Sequence, residues 1–206
     1  MRLGLMGGSF DPVHNAHLKV ARAAAGRGLD HVVLAPARQP PHKHRPDMAD
    51  PFHRFAMTAL ATAGDESLCV TPIELYREGP SYTIDTVRLF RKAGHEVVLI
   101  MGSDSLAEIE TWRDCRELLD LASVMVYPRV PLVGDRFEEK LPDWVRAKRD
   151  AGDIVHLEQE PDSTSSTTVR ALLRSRGAAA GLIPECVERY IIKHRVYAGG
   201  LEGPTD

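Results

Sequence analysis

The sequence predicts an α/β fold: an open, mostly parallel sheet with helices on both faces. Three observations carry that prediction. Short apolar runs alternate with segments of helical period, the β-α-β-α order of crossover connections. Two of the runs end in glycine followed by small polar residues, at Gly7-Gly8-Ser9 and Gly102-Ser103-Asp104. No internal repeat, low-complexity block or clear linker interrupts the chain, so residues 1–197 read as a single domain and 198–206 as a flexible tail.

The elements follow in order. Arg2 to Met6 is short and apolar, a buried strand. Asn15 to Arg27 suits a helix, with Leu18, Val20, Ala21, Ala24 and Ala25 on it and Gly26 and Gly28 ending it. His31 to Ala37 is a second strand, and "RQPPHKHRPDMAD" is a long exposed loop. Pro51 to Gly64 is a helix with proline at its start. "LCVTPIEL" is a strand, and "SYTIDTVRLFRKAG" a helix opened by serine and closed by glycine. "EVVLIMGSDS" repeats the opening design of strand, glycine and polar turn. A helical stretch from Asp114 to Ala122, the strands "SVMVYPR" and "DIVHLE", the helix "SSTTVRALLRSRG" and a last helix Pro184 to His194 complete the series. The charged run "DRFEEKLPDWVRAKRD" reads as a solvated excursion or an oligomer contact.

Composition narrows the function classes. Of 206 residues, 43% are hydrophobic and 27% charged, as in a water-soluble globular protein, and the net charge of -3 offers no global basic field for nucleic acid. The three cysteines, Cys69, Cys115 and Cys186, are widely spaced and indicate neither a disulfide framework nor a zinc ribbon; reduced thiols in the cytoplasm are expected. No segment has the length to span a bilayer, and the N-terminus runs straight into a strand without the form of a signal peptide.

In such a sheet, ligands bind beyond the carboxyl ends of the strands. Glycine there lets the backbone approach a ligand and expose N–H groups, and a helix start adds the positive end of a dipole. Both suit phosphate, although Gly7-Gly8 equally serves a tight strand-to-helix turn. The G-x-G-x-x-G fingerprint and the P-loop are missing, and Asp11 stands where a G-x-S-x-G elbow needs its last glycine. His14 and His17, three residues apart, share one face of a helix's first turn. A zinc role lacks H-E-x-x-H and a third ligand. Hydrogen-bond donation to phosphate fits their neighbours better, and a partly exposed capping pair is the plain alternative. A second cluster points the same way. All six positions from Ser163 to Thr168 are Ser or Thr, with Arg170 behind them, which is more hydroxyl than one cap needs.

These residues carry a resemblance. "GGSFDPVHNAH" resembles the nucleotidyltransferase signature G-x-F-x-P-x-H-x-x-H, and "SSTTVR" its second signature. "PPHK", "EGPSYTIDT", "MGSDSL" and "TWRD" narrow the likeness to the bacterial nicotinate-nucleotide adenylyltransferases, over Leu3 to about Tyr197. The resemblance implies a Rossmann-like fold and transfer of the adenylyl group of ATP to nicotinate mononucleotide, giving deamido-NAD and pyrophosphate in NAD biosynthesis. It implies catalytic roles for His14, His17 and Arg170. It implies an ATP site of Gly7, Gly8, Ser9, Phe10, His14, His17, Gly102, Asp104, Ser165, Ser166, Thr167 and Arg170. The mononucleotide site would comprise Ser9, Lys43, Tyr82, Thr83, Asp104 and Trp112, with Trp112 stacking on the pyridine; on its own this tryptophan reads as core. Ala16 departs from the family, which usually has glycine there. His42 is a weaker phosphate candidate.

The chemistry is coherent with that list. The mononucleotide's phosphate has a second pKa of about 6, so it is largely dianionic at neutral pH and needs no general base. Two anions must be aligned and the leaving charge neutralised. Mg²⁺ is expected on the substrate phosphates, held by their oxygens and water, with no metal ligands from the protein. The expected partners are ATP and nicotinate mononucleotide, with no nucleic acid and no membrane; a homo-oligomer stays open. Two alternatives stand at this point: another acceptor, such as nicotinamide mononucleotide, and a nucleotide sensor without turnover.

Overall fold

The computed structural model of the chain describes residues 1–41, 46–129, 135–160, 162–179 and 181–197, with the backbone alone at 135 and 176. Six strands form one sheet: β1 (Arg2–Gly8), β2 (His31–Pro36), β3 (Leu68–Val70), β4 (Glu96–Gly102), β5 (Ala122–Tyr127) and β6 (Ile154–His156). Their order is β3-β2-β1-β4-β5-β6, and every neighbouring pair is parallel. The chain winds outward from β1 to β3 and then returns to β1's other side with β4. This is the Rossmann-like order, and the reversal between β1 and β4 opens a crevice at their carboxyl ends.

The helices are α1 (Asn15–Ala25), α2 (Pro51–Thr62), α3 (Thr83–Lys92), α4 (Ser103–Ala107), α5 (Cys115–Leu121), α6 (Asp135–Glu138), α7 (Asp143–Asp150), α8 (Ser166–Arg176) and α9 (Glu185–His194). Because strand side chains alternate between faces, each central strand feeds two cores. Met6, Val98, Ile100 and Met125 pack with residues of α1, α2, α8 and α9. Leu5, Val97, Leu99 and Val124 pack with residues of α3, α4, α5 and α7. A sheet covered on both faces is why the strands read as continuous apolar runs.

Three expectations change. The helix expected to open on serine begins at Thr83 with Tyr82 at its N-cap, because Ser81 Oγ instead accepts the N–H groups of Arg38 at 3.0 Å and Gln39 at 3.3 Å. The strand expected over "LCVTPIEL" stops at Val70, because Pro72 has no N–H for the ladder and its carbonyl instead accepts from Leu75 N at 2.8 Å in a turn. The run expected to be a solvated excursion contains α6 and α7, and its Phe137, Leu141 and Val145 are buried in the second core. Phe137 lies on α6, Val145 on α7 and Leu141 in the connection between them, three apolar side chains in an otherwise charged segment. The expected tail at 198–206 lies outside the described residues.

Candidate active site

β1 delivers the chain to the crevice. A Cβ on Gly7 would meet no atom within 4 Å, so this glycine borders open space, whereas one on Gly8 would stand 3.1 Å from the Phe10 ring. Phe10 is 2% exposed and sits at φ +46, a left-handed conformation that is rare for a residue with a side chain. Its ring stays in the core and meets His17 edge-on at 5.1 Å.

Arg54 of α2 holds this turn from beneath. Its guanidinium is fully buried and donates to the carbonyls of Ser9 at 2.6 Å, Ala49 at 3.0 Å and Arg38 at 3.1 Å. In a trans peptide the carbonyl and the following N–H point in opposite directions. Fixing the Ser9 carbonyl on Arg54 therefore turns the Phe10 N–H away from it.

The histidine pair opens α1. His14 is the N-cap residue and is 4% exposed, and its ring stacks on that of His17 with centroids 3.6 Å apart. The His14 backbone N–H donates to His17 Nδ1 at 3.2 Å. In the neutral ring His17's own proton then belongs on Nε2, which leaves that atom a donor. Burial first, and the Arg129 charge second, lower the His14 pKa from 6.5 to about 4, against an opposing pull from Asp162. At pH 7 His14 is a neutral hydrogen-bonding group. α1 is fixed by Asn15, whose side chain donates to Gly181 O at 2.8 Å and whose N–H donates to Leu182 O at 2.9 Å.

The hydroxyl-rich segment docks on the same turn. Ser165 caps α8 by accepting from Thr168 N at 3.1 Å, and Ser166 Oγ donates to Pro12 O at 3.0 Å. Arg170 is 3% exposed; it donates to Asp11 O at 2.5 Å and to Thr167 Oγ1 at 3.2 Å, and stands 3.4 Å from the Asp11 carboxylate. Its buried Nε has no partner among the described residues. Asp11 is itself fully buried and accepts from Tyr197 Oη at 2.7 Å and from Ala49 N at 3.1 Å.

The second polar turn, after β4, lies across the switch point. Gly102 leaves the space that Asp104 and Arg129 occupy: a Cβ there would press on Asp104 Oδ1 and fall 2.9 Å from Arg129 Cδ, so both side chains would have to shift. Asp104 pairs with Arg129 at 3.3 Å, and Ser103 Oγ accepts the Arg129 N–H at 2.9 Å. His14, His17, Lys19, Arg129, Asp162 and Thr164 are among the residues bordering an open, shallow cleft.

Of the expected site residues that are described, only His14 and His17 border that cleft; Gly7, Gly8, Ser9, Phe10, Gly102, Asp104, Ser165, Ser166, Thr167 and Arg170 do not, nor do Tyr82, Thr83 and Trp112. Tyr82 and Trp112 are half-buried against the second core, Thr83 begins α3, and the Arg113 guanidinium lies 4.7 Å from the Tyr82 ring centre. Lys43 and His42 fall outside the described residues. Sequence reasoning passed over Arg54 and Arg129. An arginine inside the apolar stretch of α2 was a signal for the first; nothing local distinguished the second.

Comparison with known proteins follows the same lines. Residues 5–172 match the family described as cytidylyltransferase-like. A protein of Bordetella petrii named probable nicotinate-nucleotide adenylyltransferase is 42% identical over 200 residues, 95% of this chain and 98% of its own. One of the same name from Thermoanaerobacter sp. is 38% identical over 202 residues, 96% of this chain and 94% of its own. Among solved structures, nicotinic acid mononucleotide adenylyltransferase of Plasmodium falciparum complexed with NaAD superposes with a TM-score of 0.74, covering 98% of this chain and 99% of that one. At 17% identity that likeness bears on the fold.

Proposed function

The chain belongs to the cytidylyltransferase-like family, and from that premise we propose that it transfers the adenylyl group of ATP to nicotinate mononucleotide, a step of NAD biosynthesis. The observation that carries the reading is that the start of α8 docks on the β1–α1 turn just before the stacked His14 and His17, through Ser166 on Pro12 O and Arg170 on Asp11 O. A phosphate oxygen of the mononucleotide attacks the α-phosphorus of ATP. One P–O bond forms, the bond to the β-phosphate's bridging oxygen breaks, and its electron pair leaves on pyrophosphate. The nucleophile is already anionic, so the protein's task is alignment and charge stabilisation.

The residues divide that task. Gly7, Gly8, Ser9 and Phe10 present backbone to the α-phosphate, and His14 and His17 donate to phosphate oxygens. Ser165, Ser166, Thr167 and Arg170 hold the leaving phosphates, with the unpartnered Arg170 Nε a donor in want of an acceptor. Gly102 and Asp104 take a ribose. Tyr82, Thr83, Trp112 and Lys43 take the mononucleotide, Trp112 by stacking on its ring. Mg²⁺ enters with ATP. The ion would be held by phosphate oxygens and water. Residues 1–197 act as one catalytic unit, a view supported by the bond from Tyr197 to Asp11. No helix among the described residues is long and apolar enough to cross a membrane, and we place the enzyme in the cytoplasm.

Pyrophosphate release with ATP and Mg²⁺, run in parallel with nicotinate and nicotinamide mononucleotides, tests the proposal. Strong preference for the acid is expected, in line with the relatives named probable nicotinate-nucleotide adenylyltransferase. Equal rates would remove the acid specificity, and no release with either would remove the reaction.

A further inference from the structure

We propose that Arg129 is a further substrate-contacting residue, which leaves Asp104 when the nucleotide binds and takes a phosphate facing His14. The inference rests on the adenylyl-transfer reading and extends it to a residue outside both signature motifs.

Four observations lead there. First, the cleft bordered by His14 is also bordered by just two long cationic side chains among the described residues, Lys19 and Arg129, with Glu160 and Asp162 as acidic neighbours. Arg170, assigned above to the leaving phosphates, does not border this cleft, so it leaves the His14 side of the phosphate chain to another cation. Second, His14 is neutral at pH 7, so it supplies a hydrogen bond to a polyphosphate but no charge. Besides the Mg²⁺ that enters with ATP, positive charge on this side comes from a side chain bordering the cleft, and Arg129 borders it close enough for its charge to act on His14.

Third, the chain is built to place this arginine. Gly102 leaves room for Arg129 Cδ, and buried Ser103 accepts its N–H. Fourth, its present partnership is weak. The contact with Asp104 is 3.3 Å long, and the two side chains are 39% and 41% exposed. An exposed pair of that kind contributes about 0–1 kcal/mol, too little to explain the accommodation made for it. A guanidinium offered a phosphate can exchange one carboxylate contact for a two-pronged, charge-assisted one. Its departure would also release the Asp104 carboxylate for ribose hydroxyls.

The test is calorimetric binding of inorganic pyrophosphate and of ATP to the full chain and to Arg129→Ala, Arg129→Lys and Asp104→Asn, with melting temperatures as the check on folding. Arg129→Ala is expected to lose about ten- to hundredfold in affinity for both ligands, the value of one charge-assisted contact, and Arg129→Lys to recover part of it. Asp104→Asn frees Arg129 without removing it, and pyrophosphate carries no ribose, so its affinity should hold or rise. Unchanged affinity in Arg129→Ala overturns the proposal. So does an equal loss in Asp104→Asn, which would assign Arg129 a purely structural partnership. If wild type binds pyrophosphate and Arg129→Ala does not, yet no mononucleotide is adenylylated, Arg129 stands and the reaction reading falls. If wild type and Arg129→Ala adenylylate the mononucleotide and bind pyrophosphate and ATP with equal affinity, the reaction reading stands and Arg129 falls.

Discussion

His14 shows how one residue links stability to chemistry. Its pKa is 6.5 in the unfolded chain and about 4 in the fold, chiefly because burial disfavours the charged ring. Between those values the unfolded state binds more protons, so stability rises with pH. The full contribution is present above pH 6.5 and is lost as pH falls toward 4. The difference amounts to about 3 kcal/mol. His14→Asn, which keeps a capping side chain, should flatten that part of the profile, as read from urea unfolding at pH 7 and 4.5. Arg54 makes the complementary case. Replacing it with Met leaves the carbonyls of Ser9, Arg38 and Ala49 without that donor inside the fold and should destabilise by about 3 kcal/mol or more. Turnover should fall further than ATP affinity, since the Gly8–Phe10 backbone loses its orientation. The two residues differ in legibility. His14 stands in a motif whose spacing declares a shared helix face. Arg54 has partners 5, 16 and 45 residues away, and only the folded chain brings them to it.

At the scale of elements, what could be read in advance was what local pattern decides. Continuous apolar runs gave β1, β2, β4 and β5 within a residue or two, and the capping residue Ser165 and the glycine Gly177 bracket α8 as expected. The failures are elements whose signal is long-range or diluted. β3 is a three-residue edge strand that owes its existence to β2, and the charges of α6, α7 and the connection between them hide three buried side chains. Those buried side chains make a measurable claim. Leu141→Ala should cost about 2–5 kcal/mol in thermal or urea unfolding, since Leu141 is 2% exposed in the second core. Glu139→Ala, on the polar side of the same segment, should stay within about 0.5 kcal/mol. If both changes were silent, α6 and α7 would be the solvated excursion that their composition suggests.

For the whole molecule, the decisive feature is that the crevice is closed by parts of the chain far apart in sequence. The β1–α1 turn contributes Asp11, and this carboxylate meets Arg170, 159 residues away, and Tyr197, 186 away. α1 is tied to the α8–α9 connection through Asn15 and Leu182. A parallel sheet imposes such distances, because each strand returns to the same end only after a crossover. The site therefore depends on the C-terminal segment as much as on its own motifs, a dependence no motif could announce. Tyr197→Phe isolates it by removing one hydroxyl and little volume. Asp11 stays fully buried with one donor fewer, and the loss of a hydrogen bond to a charged acceptor should cost about 1–3 kcal/mol in urea unfolding. Because Asp11 also faces Arg170, the same change should weaken pyrophosphate binding while leaving mononucleotide affinity near its wild-type value. Equal losses for both ligands would mean that Tyr197 supports the fold at large and not the phosphate side of the crevice.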